Sequence, residues 1–94
     1  MSYELEFDPR ALKEWQKLGE TVKNQFRKKL AEVLSHPRIP SARLHDFPDC
    51  YKIKLKASGF RLVYQVKDAQ VLVLVIAIGK REKSAVCQDA DKRL

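Results

Sequence analysis

The segment Tyr51-Lys52-Ile53-Lys54-Leu55-Lys56 alternates without a break between large apolar side chains and lysines. A period of two belongs to a β-strand with one covered face. Tyr51, Ile53 and Leu55 are therefore expected to pack, while Lys52, Lys54 and Lys56 form a row of cations on the other side. Phe60-Arg61-Leu62-Val63-Tyr64-Gln65-Val66-Lys67 repeats the alternation, and the intervening Lys56-Ala57-Ser58-Gly59 carries a glycine suited to a left-handed turn position. Pairing Leu55 with Phe60 sets Ile53 against Leu62, Tyr51 against Tyr64 and Lys54 against Arg61. A one-residue slip would bring lysines against Phe60 and Leu62, so burial selects this register.

The same reading extends along the chain. Tyr3 to Phe7 alternates, with Tyr3, Leu5 and Phe7 on one face, and predicts a first strand. Asp8-Pro9 reads as a helix start, because the aspartate can cap free amides and proline suits the first turn. Ala11, Leu12, Trp15 and Leu18 recur at helical spacing up to Gly19. Val22, Phe26, Leu30, Val33 and Leu34 predict a second helix from Glu20 to Ser35, with Lys23, Arg27, Lys28 and Lys29 largely off its apolar stripe. The short connection implies an antiparallel αα-hairpin.

From His36 to Asp49 periodicity is lost and Pro37, Pro40 and Pro48 appear, so an ordered loop is expected, pinned to the core by Leu44 and Phe47. Its Arg38, Arg43 and His45 are expected to extend the electropositive surface. Val71 to Ile78 is apolar on both faces, which marks a buried central strand whose register cannot be read from pattern. Asp68-Ala69-Gln70 supplies the turn before it. Ala85, Val86 and Ala90 predict a short C-terminal helix within Glu82 to Leu94. The expectation is one α+β domain over residues 1–94: an N-terminal strand, an αα-hairpin packed on a small, mainly antiparallel sheet, and a short C-terminal helix.

Charge narrows the partners. Nineteen Lys and Arg against twelve Asp and Glu give a net +7, which favours a polyanion, nucleic acid first. The 45% of apolar residues suffices for a core without metal or disulfide support, and no cofactor is expected. Cys50, Cys87, His36 and His45 lack the paired close spacing of a zinc site. The N-terminal residues have neither the basic nor the apolar region of a signal peptide, and no apolar run reaches the length of a membrane span, so a cytoplasmic location with free thiols is expected.

Lys54 facing Arg61 is a like-charge pair, which destabilises a sheet unless an anion lies between or above the two. The plainer reading is a solvated lysine face that discourages edge pairing. The sharper one is a site for phosphodiester cleavage, in which an RNA 2′-hydroxyl attacks its own phosphate. That reaction needs a base for the hydroxyl proton and positive charge around the developing phosphorane. Lys52, Lys54, Arg61 and Arg81 supply the charge. Lys54 is the candidate base, since a lysine crowded by cations gives up its proton more readily. The histidines titrate in a useful range but sit in loops beside Pro37 and Asp46, and Cys87 has no Cys-His-acid arrangement near it in sequence. By themselves these residues point to a basic domain that binds nucleic acid, with RNA cleavage as a hypothesis.

Four segments carry a more specific signal: Phe7-Asp8-Pro9-Arg10-Ala11-Leu12-Lys13-Glu14-Trp15, Pro48-Asp49-Cys50-Tyr51-Lys52-Ile53-Lys54-Leu55, Gly59-Phe60-Arg61-Leu62-Val63-Tyr64 and Ile78-Gly79-Lys80-Arg81. In order and spacing the chain resembles the RelE toxins of bacterial type II toxin-antitoxin pairs, within the wider RelE/ParE superfamily. The resemblance implies a metal-independent endoribonuclease that enters the A site of the 70S ribosome and cuts the mRNA codon there, leaving a 2′,3′-cyclic phosphate and a 5′-hydroxyl. It implies Lys52 and Lys54 as active-site lysines with Lys54 as base, Arg61 as transition-state stabiliser, and Arg81 as stabiliser or leaving-group acid. Cys87 stands where the family has a tyrosine that stacks on an mRNA base, so positioning of the substrate is expected to be weaker. A RelB-like antitoxin is the implied partner, operator DNA being bound only through it, with no membrane contact. Two rivals remain: a ParE-like gyrase inhibitor on the same scaffold and a non-catalytic RNA-binding domain. The Lys52, Lys54, Arg61 and Arg81 cluster favours the nuclease, since inhibition by docking does not call for it.

Overall fold

A computed structural model describes residues 3–44, 48–56 and 58–80. Strand β1 (Glu4–Phe7) leads into helices α1 (Pro9–Gln16) and α2 (Glu20–Ser35), followed by β2 (Cys50–Lys54), β3 (Phe60–Lys67) and β4 (Leu72–Lys80). The four strands form one sheet in the order β1-β4-β3-β2. Only β1 and β4 run parallel, which requires a crossover and explains why both helices fall between β1 and the rest of the sheet. The predicted α+β architecture is the one observed. The predicted C-terminal helix lies outside the described residues.

Local chemistry accounts for the element boundaries. The Asp8 carboxylate accepts a hydrogen bond from the Arg10 amide at 2.9 Å, capping α1 with Pro9 at its first position. Helix α1 stops at Gln16, sooner than the apolar spacing up to Leu18 suggests, because the Lys17 and Leu18 amides close tight bonds back to Glu14 and Trp15. The last strand starts later than expected. Val71 adopts φ 51° to close the turn Asp68–Gln70, its amide bonding the Asp68 carbonyl at 3.1 Å. A β-branched residue in the left-handed region is strained, a conformation that composition alone would not assign to valine.

The helix-facing core is built from Ala11, Phe26, Leu30 and Val33 against Tyr51, Ile53, Leu62, Tyr64, Val73 and Val75. Trp15 bridges the layers, its ring 5.4 Å from that of Phe7 and 6.3 Å from that of Phe26. The other face is not purely a row of cations. Cys50, Val63, Ile76 and Ala77 are buried there or beside it, with Leu44 and Leu74 packed on the second cluster. A bulge explains the density: Tyr64 pairs with Val75 but Val63 with Ala77, so Ile76 is the extra residue and β4 changes parity. Beyond Val75, β4 has no β1 partner, and the Glu14 carboxylate of α1 accepts from the Ile78 amide at 3.2 Å.

The loop after α2 is tied down by polar bonds as well as by Leu44. Buried Tyr64 donates its hydroxyl to the Pro37 carbonyl at 2.9 Å. Arg38 donates to Asp49 at 2.9 Å, to the Tyr51 hydroxyl at 3.3 Å and to Asp68, while Tyr3 donates to Asp68 at 2.7 Å. Arg38 therefore does not extend the electropositive surface as expected: two carboxylates hold it at the opposite end of the hairpin from Lys54 and Arg61. His45 and Phe47 lie outside the described residues. No helix among the described residues is long and apolar enough to cross a membrane.

Candidate active site

The hairpin register read from the alternation is the observed one: Tyr51 pairs with Tyr64, Ile53 with Leu62 and Lys54 with Arg61. The Tyr51 and Tyr64 rings stack at 5.6 Å on the helix side. The Leu55 amide bonds the Phe60 carbonyl at 2.9 Å, which makes that pair a hydrogen-bonded rung. Lys54 and Arg61 then occupy the next, non-hydrogen-bonded rung, where directly opposed side chains come closest.

The bulge completes the row on a third strand. Arg61 pairs with Gly79, so the position beside the guanidinium on β4 carries no side chain. Without the extra residue at Ile76, Ile78 would stand there instead. Arg61 is partly buried, and its Nε is shielded from solvent with no hydrogen-bond partner among the described residues. A buried donor left unpaired costs roughly 1–3 kcal/mol, a debt that an anionic oxygen would cancel. Lys52 lies two residues along β2 on the same face, opposite Val63 and half-buried, and Lys54 and Lys56 are exposed.

Three of the five site residues expected from sequence, Lys52, Lys54 and Arg61, are thus brought together on adjacent strands. Arg81 and Cys87 lie outside the described residues. Lys80, unassigned from sequence, pairs with Phe60, and its Nζ sits 5.8 Å from that ring. It was missed because an all-apolar strand with a bulge gives no periodic signal by which to register its end. Cys50 is a buried thiol whose pKa is pushed up to about 11 by burial and by Asp49, which leaves it protonated and inert at neutral pH. Among the described residues no group of three or more His, Cys, Asp or Glu is placed to hold a metal ion.

A cation row fixed on strands, with an unsatisfied guanidinium donor beside a glycine, has the charge and the free donor that suit a phosphate-bearing polyanion. Comparison with known proteins gives the class: residues 5–85 match the family described as the ParE toxin of type II toxin-antitoxin systems. The chain is also 61% identical to the mRNA interferase toxin RelE of Escherichia coli K12, over all of this chain and 99% of that protein. A mutant E. coli RelE in the free state superposes with TM-score 0.93 at 60% identity, covering 100% of this chain and 99% of the other. RelE in the intact E. coli RelBE toxin-antitoxin complex superposes with TM-score 0.84 at 61% identity, covering 87% of this chain and 100% of the other. The chain belongs to the RelE family of toxins, within the superfamily that includes ParE.

Proposed function

We propose that this protein is the toxin of a type II toxin-antitoxin pair, a ribosome-dependent endoribonuclease that cuts mRNA in the A site and so stops translation in the cytoplasm. The observation that carries the reading is the Lys54–Arg61 rung facing Gly79, in a chain whose relatives at this identity are named mRNA interferases. In the proposed reaction the 2′-oxygen bonds to phosphorus and the bond from phosphorus to the 5′-oxygen breaks. Neutral Lys54 takes the 2′-hydroxyl proton, and Arg61 and Lys52 stabilise the charge on the phosphorane oxygens. The leaving 5′-oxygen takes up a proton, the step assigned to Arg81 on the family pattern. Cys87 replaces the family's stacking tyrosine, so base positioning depends more on the ribosome. An antitoxin resembling RelB is the partner that restrains the activity, since RelE is bound to RelB in the E. coli complex.

Primer extension on mRNA programmed into ribosomes tests the proposal with wild type, Lys54→Ala, Arg61→Ala and Arg81→Ala. The expected result is codon-specific cuts for wild type and their loss in each variant. A folded wild-type protein that produces no cut on ribosomes would sink it.

A further inference from the structure

Lys54 belongs to more than the active row. It lines a small recess with Phe60 and Arg61 at the hairpin end, a groove of ≈ 460 Å³ with Lys28, Lys29 and Lys56, and a continuation of ≈ 170 Å³ with Lys29 and Lys52. The two larger spaces lie between α2 and the outer edge of β2, the last strand of the sheet. Among the described residues the outer side of β2 is bridged only at Tyr51, by Arg43, short of this stretch. Among the described residues, five lysines therefore line this channel against a single carboxylate, Glu32.

We propose that this channel holds the sugar-phosphate backbone of the mRNA next to the cut, with Lys28 and Lys29 of α2 as binding residues. The inference rests on the nuclease reading and adds to it a surface for the flanking nucleotides. Continuity with the scissile position is the reason to choose the strand being cut, since Lys54 lines both. The aliphatic lining residues Val33, Ile39, Ile53 and Leu55 belong to or pack against the core and no aromatic ring joins them, whereas a protein partner is gripped by large protruding apolar or aromatic side chains. Lysines are flexible point charges that match phosphates without reading bases. The channel thus strengthens binding without choosing the codon.

The test is single-turnover cleavage of ribosome-bound mRNA against toxin concentration, for wild type, Lys28→Gln/Lys29→Gln and Lys13→Gln/Lys17→Gln. The last pair removes the same charge from α1 and its connection, away from the channel. We expect the half-saturating concentration to rise about tenfold for the α2 pair alone, with a change under about twofold in the saturated rate. The salt dependence should become shallower by about 0.7 logarithmic units for each phosphate that the α2 pair no longer neutralises. Glu32→Gln moves the half-saturating concentration the other way.

Methylphosphonate linkages flanking the cut separate the possible sources of phosphate. They should weaken cleavage by wild type and have little further effect on the α2 pair. Equal half-saturating concentrations for all three proteins, with wild type cutting normally, would overturn the inference and leave the nuclease reading intact. Additive losses from the methylphosphonates and the α2 pair would overturn it in favour of ribosomal RNA. Unchanged cleavage with weakened inhibition by an acidic antitoxin peptide would overturn it in favour of a protein occupant. A wild type that cuts nothing removes the nuclease reading and this inference together.

Discussion

Helix α2 has a groove on each side, and the two differ in kind. One, of ≈ 340 Å³, is lined by Leu5, Phe7, Leu12, Trp15, Leu30 and Leu34, with Leu12 left 42% exposed. The other, of ≈ 460 Å³, is lined by Lys28, Lys29, Lys54 and Lys56. A single helix supplies both because its apolar stripe is wider than the sheet beneath it can cover on the β1 side, while its β2 side carries the polar residues of the helical period. The arginines repeat the contrast. Arg38, at the far end of the hairpin, is held by Asp49 and Asp68, whereas the Arg61 Nε has no partner among the described residues. The arginine held by two carboxylates braces the loop against the sheet, and the one whose Nε lacks a partner among the described residues lies in the candidate site.

The strongest way to break this contrast is at the rung itself. Lys54→Ala and Arg61→Ala should each lower single-turnover cleavage by roughly 10²–10³-fold with the thermal midpoint nearly unchanged, since neither side chain fills the core. An equal loss of folding would show that the pair is structural. Cys87→Tyr should accelerate cleavage by a few-fold if stacking limits the rate, measured in the same reactions. An unchanged rate would leave the cysteine without a catalytic consequence.

The paired arginine predicts a pH effect on stability rather than activity. Arg38 and Tyr3 hold the Asp68 carboxyl below its ordinary value of 3.8 through their hydrogen bonds. A carboxyl with a depressed folded pKa stabilises the fold above its unfolded value, and that stabilisation is lost as the pH falls through the lower folded value. Thermal melts of wild type and Asp68→Asn should differ by at most a few degrees near neutrality and converge in acid. A gap that persists in acid would mean that the amide disturbs packing instead. The smallest effect belongs to the apolar groove: Leu12→Gln should change the cleavage rate by less than about twofold, because the described residues lining that groove include none of the proposed site residues.

Much of this was legible in the residues, for reasons that also mark where legibility ends. The hairpin could be registered because lysine and apolar positions alternate strictly from Tyr51 to Lys56, and a slip would bury charge. Strand β4 could not, since Leu72 to Ile78 is apolar throughout and its bulge at Ile76 leaves no mark in composition. That bulge sets Gly79 beside Arg61, so the third strand of the site was invisible. Arg38 was misread because a salt bridge to Asp68 joins residues far apart in sequence. The channel under α2 was legible only as a basic helix side, since neither its depth nor Lys54's place in it follows from helical period alone.

The central claim is that the Lys54–Arg61 rung promotes attack by a 2′-hydroxyl on ribosome-bound mRNA. It is tested most directly by single-turnover cleavage of two programmed mRNAs that differ only in a 2′-deoxy sugar at the scissile nucleotide. The account predicts cutting of the all-ribose mRNA by wild type, no cutting of the deoxy mRNA, and loss of cutting of the ribose mRNA in Lys54→Ala. Equal rates on the two mRNAs, or wild-type speed from Lys54→Ala, would contradict it.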